Sequence, residues 1–165
     1  MTIRIAKILL IFALAVFYSI VVFNNLTDYN SNYLFVYHVL KMDSTFPGNH
    51  GMWRAVHSTM VYRSFYDSII SWEALTAFLG WAGGALLLRK LGAPAAAFNL
   101  AKRISVIALT LSLLMWFVAF LTIGAEWFLM WQSKTWDGQE AAFRMFTVVG
   151  IILMFLVMPD VEGQA

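Results

Sequence analysis

The stretch Ile5-Ala-Lys-Ile-Leu-Leu-Ile-Phe-Ala-Leu-Ala-Val-Phe-Tyr-Ser-Ile-Val-Val-Phe23 decides the fold of this 165-residue chain. A bilayer core of about 30 Å is crossed by ~20 apolar residues of helix, and this run has that length. Three more runs of the same kind follow: Ser68–Leu88, Ile104–Ile123 and Ala141–Met158. Lipid offers no hydrogen bonds, so every backbone N–H and C=O in a span must be satisfied within the chain, which makes each run a helix. The expected fold is therefore all-α, an integral membrane four-helix bundle forming a single transmembrane domain.

Composition agrees. Hydrophobic residues make up 61% of the chain and charged residues 12%, against roughly 45–50% and 25% in soluble domains. The net charge of +2 does not point to nucleic acid, because the basic residues flank the spans. With no cysteine in the chain, disulfide frameworks and thiolate chemistry are excluded. The apolar part of the first run, Ile8–Phe23, exceeds the ~7–15 residues of a signal-peptide core. It ends in Val-Val-Phe-Asn-Asn without small residues for cleavage, and so reads as a retained anchor.

Charge sets the expected orientation. Arg4 and Lys7 precede the first span, and Arg89, Lys90, Lys102 and Arg103 lie between the second and third. By the positive-inside rule both termini are expected in the cytoplasm, with 24–67 and 124–140 on the outer side of a bacterial inner membrane. Gly92 and Pro94 break the inner connection, and its shortness makes spans two and three antiparallel neighbours. Gly80 and Gly84 form a small-xxx-small face for close helix approach.

The long outer connection is expected to be partly helical. Asn30, Ser31 and Asn32 offer N-caps for a helix from about Tyr33 to Met42 that lies at the interface. Asp43–Gly51, with Pro47, Gly48 and Gly51, reads as a turn-rich break. From about Met52 the pattern predicts one helix running to Leu88.

Three groups of residues are candidates for function. Glu73 falls a little over one turn inside the outer edge of the hydrocarbon, where an acid costs a few kcal/mol unless paired, protonated or wet. Glu126 and Arg144 fall at similar depth, so the three are expected to meet as a polar cluster. That cluster would be either an ion pair fixing helix register or a site for an ion, a proton or a head group. Second, Trp53, Arg54, His57, Trp127 and Trp131 mark an outer face for a ligand or partner. Together with Trp72 and Trp136 these tryptophans also suit an aromatic belt at the interface. Third, His38, His50 and His57 invite a metal or haem reading. Their spacing argues against it: His50 and His57 lie seven apart, whereas helical neighbours on one face lie three or four apart. No cofactor or metal is expected, and no Walker loop, dinucleotide fingerprint, zinc-protease motif or nucleophile elbow occurs.

Two segments carry a resemblance. One is Phe23-Asn-Asn-Leu-Thr-Asp-Tyr-Asn-Ser-Asn-Tyr-Leu-Phe-Val-Tyr-His-Val-Leu-Lys-Met-Asp43, followed by Thr45-Phe-Pro-Gly48 and Met52-Trp-Arg-Ala55. The other is Gly124-Ala-Glu-Trp-Phe-Leu-Met-Trp-Gln-Ser-Lys-Thr-Trp-Asp-Gly-Gln139. With the Ala97–Arg103 stretch, they resemble a bacterial family of predicted small integral membrane proteins whose domain has no assigned function. The resemblance implies four spans and supplies no catalytic residues. The expected role is a non-enzymatic accessory or scaffold subunit of a membrane complex, with lipids, other membrane subunits or further copies of itself as partners. The alternative is handling of a lipid, quinone, proton or ion through the outer polar cluster.

Overall fold

The computed structural model describes residues 1–161. Four helices are long and apolar enough to cross a membrane: Thr2–Thr27, Thr59–Arg89, Ala95–Trp127 and Gln139–Val157. Among the described residues no strand occurs. We number the α-helical elements α1 (Thr2–Thr27), α2 (Tyr29–Lys41), α3 (Thr59–Arg89), α4 (Ala95–Ala101), α5 (Arg103–Leu114) and α6 (Gln139–Val157).

The inner face of α3 organises the bundle. Tyr62, Tyr66, Ile70, Glu73, Ala77, Gly80, Gly84 and Leu87 are its buried residues at three- and four-residue spacing, so one stripe of this helix faces inward. At its lower half the stripe is glycine, and neighbouring helices approach to backbone contact. A Cβ on Gly80 would lie 3.0 Å from Ala15 Cβ of α1, and one on Gly83 only 2.4 Å from Ser105 Oγ of α5. A Cβ on Gly84 would enter the Phe12 ring at 2.6 Å. The small-residue face read from the sequence, Gly80 and Gly84, is used by α1, while Gly83 beside it meets α5. That places α3 between the two and makes the second and third spans neighbours.

The third span is not a uniform α-helix. Beyond Leu114 it continues as a π-helix over Met115–Trp127. Its register is visible where Phe128 N–H donates to Ile123 O at 2.9 Å and Thr122 Oγ1 donates to Phe117 O at 3.0 Å. Most π-helices are single turns, so this length is unusual. Apart from Thr122 and Glu126 the segment carries no polar or charged side chain except indole, which leaves its hydrogen-bond register unmarked in the sequence.

Three expected boundaries move. The helix expected to run unbroken from Met52 begins only at Thr59. Met52–Arg54 form a single 3-10 turn, and the chain then extends before Ser58. It is held extended from outside: Val56 N–H donates to Leu40 O at 2.9 Å, and Tyr62 Oη donates to Val56 O. Helix α2 starts at Tyr29 rather than Tyr33, because the α1–α2 break falls at Asp28 (φ −129°). The third span starts at Ala95, before the basic pair that was read as its flank. Lys102, expected at the surface, is 5% exposed because an acid and two oxygen acceptors meet its ammonium, as described below.

The two ends of the bundle are closed differently. At the end bearing the termini, Asp160 follows α6 and accepts Lys7 Nζ at 2.8 Å and Lys102 Nζ at 2.6 Å, with Arg4 at 3.6 Å. Both lysines also donate to Met158 O, at 2.7 and 2.8 Å. Asn99 grips the Asp160 backbone through two 3.0 Å bonds. At the opposite end, α2 folds against α3, and the two outer loops are stitched together. Ser44 Oγ donates to Ser133 Oγ at 2.8 Å, and Gln132 Oε1 accepts from Phe46 N and Asn49 Nδ2.

Candidate functional site

Two apolar cores fill the bundle, one toward the terminal end around Ile11, Leu109 and Leu156, the other toward the loop end around Leu40, Tyr66 and Phe128. Glu73 belongs to neither. It lies sixteen residues before Arg89 on α3, about 24 Å along the helix axis at 1.5 Å per residue. Within a hydrocarbon core of about 30 Å this puts it in the third nearest the loops. Glu73 is 5% exposed.

Its partner comes from α1. Asn25 Nδ2 donates to Glu73 Oε2 at 2.7 Å, and Asn25 Oδ1 accepts from Asn32 Nδ2 of α2 at 2.7 Å. A carboxylate accepts only, so the amide of Asn25 must turn its nitrogen toward Glu73 and its oxygen toward Asn32. A chain of amides therefore links three helices. Asn25 ends up 3% exposed within the last turn of α1.

These groups border a cavity of about 230 Å³ lined by Asn25, Asn32, Phe35, Tyr66, Glu73, Trp116 and Phe120, with Val21, Val36, Ile69, Gly138 and Ala141 completing the wall. Among the described residues no arginine, lysine or histidine lines it. Tyr66 Oη is buried there without a hydrogen-bond partner. Trp116 presents only its ring, because its N–H donates to Tyr18 Oη at 2.9 Å. That phenol in turn shares a 2.6 Å bond with Ser112 Oγ. α1 and α6 are joined at the terminal end through Lys7 and Met158. At the loop end Val21 and Asn25 of α1, Ala141 of α6 and Gly138 just before it instead border the cavity together.

Residues 3–159 match the model of a family described as predicted small integral membrane protein (DUF2165). The chain belongs to this family. No curated protein and no solved structure gives a match. The family is a multi-pass membrane one without an assigned activity, so the chemistry of this member must be argued from its own side chains.

The cluster expected from Glu73, Glu126 and Arg144 does not form. Glu126 and Arg144 are exposed, and among the described residues no ion pair joins any of the three. Counting residues along a span does not fix rotation about the helix axis. Glu126 lies at the end of the π-helical segment and Arg144 on the second turn of α6, each exposed. Glu73 alone is internal, and it meets amides instead.

The expected outer face is assembled in part. Arg54 sits between Trp53 and Trp127, with its guanidinium carbon 5.5 and 5.2 Å from the two ring centroids. It donates to Trp127 O at 2.9 Å, answering the free carbonyls and negative dipole end of the π segment. Trp131 instead packs edge-on against Phe46 at 5.8 Å, and His57 is exposed outside both groups. His38 pairs with Asp43 at 2.9 Å and stacks on Trp136 at 4.5 Å. Among the described residues, no three His, Asp or Glu side chains gather into a group able to hold a metal.

Proposed function

We propose that this protein handles a small positively charged species, a proton or a compact cation, in the cavity around Glu73. One observation carries the reading: a buried acid borders a cavity in the membrane-embedded part of the bundle, and its bonded partner is a neutral amide. An acid at that depth is stabilised by neutralisation or by a counter-charge, and one amide supplies neither. A purely structural ion pair would bring its own cation, and the lining has none. The cavity also has room for several waters at ~30 Å³ each, so a mobile charge can be solvated there.

The test is infrared difference spectroscopy on the full chain in lipid nanodiscs, reading the carboxyl C=O band while pH and salt are varied. A band that responds in the native protein and is missing in Glu73→Gln supports the reading. Identical spectra for the two proteins, with no response to proton or cation, overturn it.

The charge pattern supports placement in a bacterial inner membrane with both termini in the cytoplasm, since Arg4, Lys7, Arg89, Lys90, Lys102 and Arg103 gather at the terminal end. A second reading, an accessory or scaffold subunit of a larger membrane complex, draws support from the Trp53–Arg54–Trp127 group. Trp53 is 75% exposed, and indole and guanidinium are the side chains that most often anchor protein interfaces. Native mass spectrometry from mild detergent, comparing the native chain with Trp53→Ala, tests it. A co-purifying subunit lost in the variant supports this role, and a monomer in both counts against it.

A further inference from the structure

We infer that the species bound beside Glu73 is an organic ammonium ion, held by the carboxylate and by the aromatic wall of the same cavity. This rests on the reading that the cavity takes up positive charge, and it adds the chemical class of the ligand.

The inventory of the wall decides the class. Glu73 offers oxygen lone pairs beyond the one used by Asn25. Asn25 has already spent its oxygen on Asn32 and one N–H on Glu73. What remains are acceptors: the carboxylate and the Asn32 carbonyl oxygen. With no cationic side chain in the lining, an anion finds no partner. A quinone carbonyl finds only the tyrosine hydroxyl and spare amide hydrogens. An ammonium finds a charge complement.

The rest of the wall is ring. Phe35 and Phe120 lie 6.1 Å apart and nearly parallel, and Trp116 lies 4.9 Å from Phe120. Trp116 has no N–H left to donate. Aromatic faces attract cations through their quadrupole, most strongly where water is excluded, and aromatic cages are the recurrent solution for substituted ammonium groups. A bare divalent metal ion takes about six or more oxygen ligands, and the Glu73 carboxylate with the Asn32 oxygen falls well short of that. A proton would need no rings at all.

Size points the same way. An apolar cavity of about 150 Å³ accepts benzene. The 230 Å³ found here therefore suits a compact ammonium of roughly five to ten heavy atoms on the same scale, such as a methylated or hydroxyethyl amine. A drug-sized guest would need a pocket of about 300–1,000 Å³.

The experiment is isothermal titration of the full chain in nanodiscs with tetramethylammonium chloride and with choline chloride, against sodium chloride at equal ionic strength. Saturable binding of at least one ammonium, weakened tenfold or more in Glu73→Gln and several-fold in Phe120→Leu, is the expected result. Phe120→Leu keeps the acid and alters only the ring, so it tests the claim even where Glu73→Gln fails to fold. Tyr66→Phe should change affinity less than threefold. No saturable heat with either ammonium, equal affinity in Glu73→Gln, or preference for a short-chain quinone each overturns the inference. If ammonium fails while the Glu73 carboxyl band still answers protons, only the ligand class falls. If that band is also silent, the proposed function falls with it.

Discussion

Lys102 Nζ stands 2.6 Å from Asp160 Oδ2, tying the start of α5 to the segment that follows α6. Lys7 of α1 reaches the same oxygen at 2.8 Å, so a single carboxylate closes three helices at the terminal end. Both ammonium groups are nearly inaccessible, with side-chain exposures of 1% and 6%. Asp160→Asn leaves two buried cations without a counter-charge, and breaking such an arrangement costs about 3–5 kcal/mol. Denaturant titration of the purified protein should show that loss; a change under ~1 kcal/mol, the range of exposed pairs, would mean the pairs are solvated.

The same residue gives a pH dependence with a definite sign. Burial alone would push the Asp160 carboxyl up, but Lys102 and Lys7 outweigh it and hold it below the ordinary carboxylate range. A folded value below the unfolded value of about 3.9 means stability that is present above that pH and lost as pH falls through the folded value. The cations facing it are Arg4, Lys7 and Lys102. Stability of the native chain minus that of Asp160→Asn should therefore be flat from pH 7 to about 5 and shrink below about 4. A difference that shrinks on the alkaline side instead would contradict the assignment.

Helix contact at Gly83 admits no side chain. Its Cβ would lie 2.8 Å from Ser105 N and 3.0 Å from Ser105 Cα, both backbone atoms that cannot swing aside. Gly83→Ala must part α3 from α5, a cost of about 1–3 kcal/mol for overpacking. Gly92→Ala is the control, because a Cβ there meets nothing within 4 Å, and it should be neutral within ~0.5 kcal/mol. Equal effects at both positions would place the tight contact elsewhere.

The spans, their number and the glycine contact face were legible because each follows from a one-dimensional pattern: apolar length, or small residues four apart. The candidate site was legible only at Glu73. Its partners Asn25 and Asn32 sit at the end of a span and in the outer connection, where asparagine normally signals exit from the membrane. Only the fold reveals that α1 continues to Thr27 and that α2 turns back over it. Glu126 was illegible for a different reason: a π register rotates side chains differently from an α register, and nothing in so apolar a run betrays the change. Asp160 went unread because an acid after the last span looks like solvent-exposed tail, and its three cations are remote in sequence.

Asn25 and Glu73 should be energetically coupled. Asn25→Ala removes the bonded partner of a buried acid and should cost about 1–3 kcal/mol, the penalty for orphaning such a group. In a Glu73→Gln background the same change should cost less, since a neutral amide is cheaper to leave unpaired. The double-mutant cycle should therefore close with a coupling of about 0.5–3 kcal/mol. Strict additivity would show that the 2.7 Å contact contributes nothing.

Topology can be read on an otherwise native background, because the chain has no cysteine of its own. Gly92 is exposed in the turn between α3 and α4, and His50 is exposed in the stitched loops at the other end. By the positive-inside rule the basic excess around Gly92 predicts a cytoplasmic position for it. A membrane-impermeant maleimide added to intact cells should then label His50→Cys and spare Gly92→Cys, while inverted vesicles should give the reverse. Labelling of both from one side would mean an odd number of crossings and would dissolve the four-span bundle. Labelling of Gly92→Cys alone in intact cells would keep the bundle but invert it, so that Glu73 would lie nearer the cytoplasmic side.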